Sequence, residues 1–256
     1  MKRVLVVGDD SYIALQFKKY AEEKCTDIFE IKMVNSRDET WQQADFNGYT
    51  TLLFCAGIAH QKRIKKELYY KINCDLTRQV AEKAKRENIT QFIFLSSMAV
   101  YGNKITAISH TTPPNPNPTD YYALSKLDAE LALNALADDD FNISIVRPPM
   151  VYGEGCKGNY PRLVALANAL PIFPNYKNQR SMIYIDNLSA FICDLIINKK
   201  SGICLPQDEN YISTFDMVKK INPRIRGVKW FNPLIKVLSK RVGILNKLFG
   251  DLYYLR

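Results

Sequence analysis

The chain has 256 residues, 47% hydrophobic and 24% charged, with 35 Lys and Arg against 26 Asp and Glu and a formal net charge of +9. That length buries a substantial core, and the composition is that of an ordinary soluble globule. No apolar stretch approaches the ~20 residues of a membrane span, and the short run Val4 to Val7 ends in a glycine turn, as a first strand does and a signal peptide does not.

In chain order, residues 4–7 read as a strand closed by Gly8 and residues 11–23 as a helix. Residues 29–34 alternate as a second strand, 51–55 form a buried third, and 68–87 are a helix rich in Lys, Arg, Ala and Glu. Residues 91–95 are a fourth strand, 121–137 a long helix and 143–146 a fifth strand. This alternation predicts an α/β fold, a parallel sheet covered by helices on both faces. The Pro and Asn stretch 113–118 is a loop leading into the long helix. After Arg147 the prolines Pro149, Pro161, Pro171 and Pro174 interrupt the pattern, and a helix returns near residues 187–197.

The cysteines Cys25, Cys55, Cys74, Cys156, Cys193 and Cys204 form no C-x-x-C pair, and His60 and His110 stand apart. That pattern predicts free thiols in a reducing cytoplasm and no metal site. Tyr122 and Lys126 lie one turn apart on a helix face, downstream of Ser97 at a strand end. A free phenol titrates near ~10; an adjacent ammonium favours its phenolate, and a Ser can bridge it to a substrate hydroxyl. The set is equipped to move an alcohol proton while a hydride leaves the carbon.

These residues, with Gly8-Asp9-Asp10-Ser11-Tyr12-Ile13-Ala14, Ala56-Gly57-Ile58-Ala59-His60, Asn73, Arg147-Pro148-Pro149-Met150-Val151-Tyr152-Gly153 and Arg180-Ser181-Met182-Ile183-Tyr184-Ile185-Asp186, resemble an extended short-chain dehydrogenase/reductase. The group resembled is the NAD-dependent nucleotide-sugar epimerase/dehydratase family of bacterial polysaccharide pathways, UDP-glucose 4-epimerase-like. The resemblance implies a Rossmann-like doubly wound sheet over residues 1–148, with a returning element near 183–205. It also implies a small, partly truncated C-terminal substrate-binding lobe from 149–182 and 206–256.

By the same resemblance Tyr122 is the acid and base, Lys126 holds a ribose and lowers the Tyr122 pKa, and Ser97 relays the proton. Gly8, Ser11, Tyr12 and Ile13 would take the pyrophosphate at a helix N-terminus. Ser11 and Ala14 stand where the family usually has glycine, and Asp9 and Asp10 would repel a pyrophosphate unless they face solvent. Arg37, beside Asn35, Ser36 and Asp38, leaves NADP open besides NAD. Asp45 and Phe46 resemble the adenine-contacting pair, and Ala56 and Gly57 the passage beside the cofactor. Asn159 and Arg180 resemble the contacts to the substrate diphosphate. Arg147, His60 and Asn73 are read as structural.

The implied activity is a nucleotide-sugar 4-epimerase acting on a UDP-sugar through a transient 4-keto intermediate. A 4-keto-sugar reductase would use the same three residues, and the altered glycine turn also admits a non-catalytic dinucleotide-binding scaffold. Met98 and Ala99 follow Ser97 where a dehydratase needs carboxylic acids. A cytoplasmic homodimer is implied, paired through the helices at 68–87 and 121–137, with Leu124, Leu127 and Leu131 in the seam.

From Lys219 to Arg256 ten basic residues face Asp251 alone, which equals the whole formal charge of +9. Leu234, Leu238, Val242, Leu245 and Phe249 recur at helical spacing there, with Lys236, Lys240 and Lys247 on another face. This reads first as a helix packed on the domain and second as a weak peripheral membrane contact. No nucleic-acid motif accompanies the charge.

Overall fold

Four strands of this chain carry nearly unbroken apolar runs, and a strand needs that pattern only when both of its faces are covered. In the computed structural model, which describes residues 1–59, 64–102, 105–239 and 241–256, the runs are Lys2–Val7 (β1), Thr51–Phe54 (β3), Gln91–Leu95 (β4) and Asn142–Val146 (β6). With Phe29–Val34 (β2) and Gly202–Cys204 (β10) they form one six-stranded parallel sheet in the order β10-β6-β4-β3-β1-β2. β10 is a sixth strand that the sequence reading did not separate from its returning element.

Alternate residues of each strand enter different cores, as the two-residue period of a strand requires. Leu5, Val7, Leu52, Phe54, Phe92 and Phe94 meet the helices Leu76–Arg86 (α4) and Tyr121–Leu136 (α5). Val4, Val6, Leu53 and Ile93 meet Tyr12–Lys24 (α1) and Ile185–Asn198 (α7). The chain order reverses between β1 and β3, and in doubly wound sheets the crevice at such a switch point takes the ligand.

The helix expected over 68–87 is interrupted. Lys66–Tyr70 (α3) runs into a π-helical turn at Lys71–Asp75 before α4 begins. Between β2 and β3 lies a short helix, Thr40–Gln43 (α2).

Beyond β6 a third core gathers Leu163, Phe173, Met182, Phe215, Met217, Val218, Ile235 and Phe249. Around it pack Met150–Tyr152 (β7) paired with Met182–Tyr184 (β9), Ile172–Pro174 (β8) paired with Arg226–Val228 (β11), and the helices Asn159–Ala169 (α6) and Thr214–Ile221 (α8). The basic tail is not one amphipathic helix. It folds as Asn232–Leu238 (α9) and Gly243–Phe249 (α10), and the α9 residue turned inward is Ile235, while Leu234 is 55% exposed. The chain then returns as Tyr253–Tyr254 (β12) to pair with Ala107–Ile108 (β5).

A buried polar network fastens that return. Arg147 pairs with Glu130 and donates to the Tyr101 hydroxyl at 2.6 Å, Ser96 also bonds Glu130, and Tyr254 donates to the Arg147 carbonyl at 2.6 Å. This agrees with the structural reading of Arg147. Among the described residues no helix is long and apolar enough to cross a membrane.

Candidate active site

At the end of β1 the backbone turns through Gly8, whose φ is +101°. A Cβ there would meet the Ala56 nitrogen at 2.6 Å, so the loops after β1 and β3 press together as only glycine allows. Ser11 caps α1 with extended backbone, and its hydroxyl makes no capping bond. The first-turn amides of α1, which have no partner within the helix, therefore remain directed at the crevice. Asp10 is exposed and paired with Arg37. Asp9 does not face solvent in full, since its Oδ1 is buried with no hydrogen-bond partner among the described residues.

The loop after β3 is held from the π-turn. Asn73 is fully buried; its Oδ1 accepts from Ile58 N at 2.8 Å, and its Nδ2 donates to Ile58 O at 3.0 Å and Ser125 Oγ at 3.1 Å. The widened turn aims this amide at the loop while α4 keeps its apolar face on the sheet. The same amide closes the space at Gly57, where a Cβ would lie 3.1 Å from Asn73 Oδ1 and 3.2 Å from Lys126 Nζ.

Ser97 follows β4 in extended conformation and caps the short 3-10 turn Met98–Tyr101, accepting from Ala99 N at 3.1 Å. Asp120 caps α5 by accepting from Ala123 N at 3.2 Å, which sets Tyr122 in the helix's first turn. The Tyr122 phenol is pushed up by burial and, more weakly, by Asp120 and Tyr69; a hydrogen bond with Ser97 pulls it down. Lys126 is buried one turn further on. Its Nζ donates to Leu95 O at 2.9 Å and sits 4.6 Å from the Phe94 ring centre. Burial lowers the lysine to about 8, against the raising influence of Cys55 and Glu130.

The net shift of the Tyr122 phenol is upward because burial outweighs the hydrogen bond with Ser97, where the resemblance implied a lowering by Lys126.

One cleft of about 2070 Å³ is lined by Ser11, Tyr12, Ile13, Arg37, Ala56, Gly57, Ser97, Tyr122, Lys126, Asn159 and Arg180. Residues far apart in the chain, from the glycine turn to the small lobe, thus share one space. Gly8 lies behind the lining, as backbone support. Asp45 and Phe46 do not line it: the Phe46 ring is fully buried, its amide donates to Glu87 at 2.9 Å, and Asp45 accepts from Asn47 N at 2.9 Å. That carboxyl is lowered chiefly by the bond from Asn47. Trp41 and Gln42 line the cleft beside Arg37 instead. Trp41 is the signal that was overlooked, a large aromatic between two polar loops.

Arg180 donates from its guanidinium to Gly250 O at 3.0 Å, and burial lowers it while Asp251 opposes. Asn159 opens α6 behind Gly158. Lys157, Arg162 and Lys247 line the cleft with them, a set of cations the sequence reading missed. Arg162 sits three residues beyond Asn159, a spacing that placed it on the same helix face.

Of the leucines expected in a dimer seam, Leu131 is 61% exposed, while Leu127 is half-buried against the cluster around Met98, Tyr101 and Tyr254. His60 lies outside the described residues. Among the described residues no cluster of His, Cys, Asp or Glu is arranged to hold a metal ion.

A family model described as the NAD dependent epimerase/dehydratase family matches residues 5–204. The chain is 32% identical over 234 residues to a UDP-glucose 4-epimerase of Vibrio cholerae, spanning 87% of this chain and 70% of that protein. It is 26% identical over 234 residues to an N-acetyl-alpha-D-glucosaminyl-diphospho-ditrans,octacis-undecaprenol 4-epimerase of Escherichia coli O157:H7, spanning 85% and 68%. Among solved structures it superposes on the UDP-glucuronic acid 4-epimerase of Bacillus cereus in complex with NAD with a TM-score of 0.72, at 18% identity and covering 97% of this chain and 94% of that one.

Proposed function

The chain belongs to the NAD dependent epimerase/dehydratase family, and on that premise we propose that it is a cytoplasmic nucleotide-sugar 4-epimerase acting on a UDP-hexose or UDP-N-acetylhexosamine. The observation that carries the reading is the hydrogen-bonded Ser97 and Tyr122 pair, which shares one cleft with Lys126, Asn159 and Arg180.

NAD, the cofactor of the family, supplies the hydride acceptor and donor when bound. The turn fits a dinucleotide at Gly8, where a Cβ would strike the Ala56 backbone. Gly8, Ser11, Tyr12 and Ile13 would hold its pyrophosphate against the N-terminus of α1, Ala56 and Gly57 would pass beside it, and Lys126 would hold a ribose. The pairing of Arg37 with Asp10 supports NAD over NADP, because a 2′-phosphate would compete with a carboxylate already in place.

The chain's own residues do the proton work. Tyr122 exchanges the proton of the sugar O4 with Ser97 orienting the hydroxyl, and the Lys126 ammonium is the fixed cation nearest that exchange along α5. Arg180 and Asn159, with Lys157 and Arg162, neutralise and grip the diphosphate so that the sugar can present either face at C4. Planar guanidinium donors suit paired oxygens. Residues 1–148 with 183–205 serve the dinucleotide, and 149–182 with 206–256 serve the sugar nucleotide. The exposed Leu131 on α5, outside the cleft lining, supports a homodimer through that helix.

A second reading is a 4-keto-sugar reductase, which would use the same Ser97, Tyr122 and Lys126 in the same cleft. Supplying UDP-glucose or UDP-N-acetylglucosamine with sub-stoichiometric NAD and following C4 epimers by NMR separates the two. Epimer formation supports the first reading. NADPH oxidation on a UDP-4-keto-6-deoxy sugar, without any epimer, replaces it with the second. Absence of dinucleotide binding in the millimolar range overturns both and leaves the scaffold.

A further inference from the structure

We propose that α9 and the turn before it form a docking surface for an anionic phospholipid bilayer. Four of the fifteen large apolar side chains left exposed among the described residues fall between Trp230 and Val242: Trp230 at 69%, Leu234 at 55%, Val237 at 52% and Val242 at 39%. Two of them, Leu234 and Val237, share the outer side of α9. Ile235 and Ser239 face inward, each 6% exposed, so Leu234 and Val237, three apart, face outward. Trp230 precedes Leu234 by four residues and stacks on Phe231, with ring centres 3.5 Å apart; Phe231 in turn packs on the third core. The indole is thus supported from beneath and presented outward.

Along the chain from residue 219 onward the charge is of one sign apart from Asp251. Lys229, Lys236 and Arg241 are exposed, and none makes a side-chain hydrogen bond or ion pair among the described residues. Arg224, Arg226 and Lys247 are exposed in the same stretch. The only acid from residue 219 onward, Asp251, accepts from Gln179 N at 2.7 Å and lines the cleft. An apolar ridge with Trp at its edge, flanked by unpaired Lys and Arg, is complementary to an interface that is apolar below and negative at its surface. A neutral protein surface offers no counterpart to the charge. Docking through α9 also brings α10, whose Asn246, Lys247 and Leu248 line the cleft, close to the lipid surface. The docking itself does not depend on the reaction assigned to the cleft.

The test uses the full chain with large unilamellar vesicles of phosphatidylcholine, with and without phosphatidylglycerol. Wild type should sediment with the anionic vesicles and be released by salt. The chain has two tryptophans, and Trp41 is already buried at 5% exposure, so a blue shift on binding reports Trp230. Replacing Lys229, Lys236 and Arg241 together by Gln should weaken partition on the order of 10²-fold, at roughly fivefold for each cation near an anionic surface. The triple change Trp230→Ser, Leu234→Ser and Val237→Ser should abolish the fluorescence shift. If it also disturbs the thermal melt, the Gln variant, whose altered side chains make no hydrogen bond or ion pair among the described residues, still decides the matter.

Equal sedimentation with both vesicle types, or Gln variants that bind like wild type, would overturn the proposal. So would a wild type that binds neither vesicle but self-associates through this face, shown by a dimer that the Ser variant converts to monomer.

Discussion

Replacing Lys126 by Met should stabilise the fold while removing activity, and the size of the effect follows from where the side chain sits. The lysine is 4% exposed, and burial holds it at about 8 rather than its ordinary 10.5. At ~1.4 kcal/mol per pH unit, that displacement makes the charged lysine roughly 3 kcal/mol less favourable in the fold than in the unfolded chain at neutral pH. Methionine, similar in length and apolar, escapes this cost but leaves the Leu95 carbonyl without its donor, a loss of about 1 kcal/mol. The net gain is about 2 kcal/mol, or roughly 5 °C in a chain of this size.

The sign depends on pH. Below pH 8 both states hold the proton and the cost is complete. Between about 8 and 10.5 the folded lysine has released its proton while the unfolded one keeps it, so wild-type stability rises across that window and the advantage of Met shrinks. Urea denaturation of both proteins at pH 7 and pH 10, with turnover measured alongside, tests this. A Met variant that is destabilised at pH 7, or whose gain is the same at both pH values, refutes the argument that desolvation dominates at this site.

Tyr122→Phe keeps the ring and removes the exchangeable proton, so turnover should fall at least ~10²-fold with little change in the melt. Asp120→Asn preserves the cap of α5 but removes a charge that raises the phenol, so the ascending limb of the pH–rate profile should move to lower pH; Ser97→Ala should move it the other way. Gly8→Ala should cost ~2 kcal/mol or more by denaturation and weaken NAD in calorimetric titration, because its Cβ meets Ala56 N at 2.6 Å at a φ of +101°. Arg147→Met should cost ~3–5 kcal/mol by stranding the buried Glu130 carboxylate, and adding Glu130→Leu should recover most of that loss.

What this sequence determined by itself is what short-range periodicity encodes. Apolar runs at 4–7, 51–55, 91–95 and 143–146, separated by helical segments, require a parallel sheet covered on both faces, and the strands lie there. Ser97, Tyr122 and Lys126 were singled out from a local motif and Asn159 and Arg180 from the family resemblance, and all five line one cleft. Other features were settled only by contacts between distant segments. Nothing near Lys126 in sequence says that its ammonium ends on the Leu95 carbonyl, 31 positions away. Nothing near Asn73 says that a π-turn will aim it at Ile58. The tail shows the same limit: its 3.6-residue pattern of leucines suggested one long helix, yet α9 turns in Ile235 because the third core offers a place there. Burial, and with it the upward shift of the Tyr122 phenol and the downward shift of Lys126, depends on how much of the folded molecule surrounds a group, and that depth is a property of the tertiary structure.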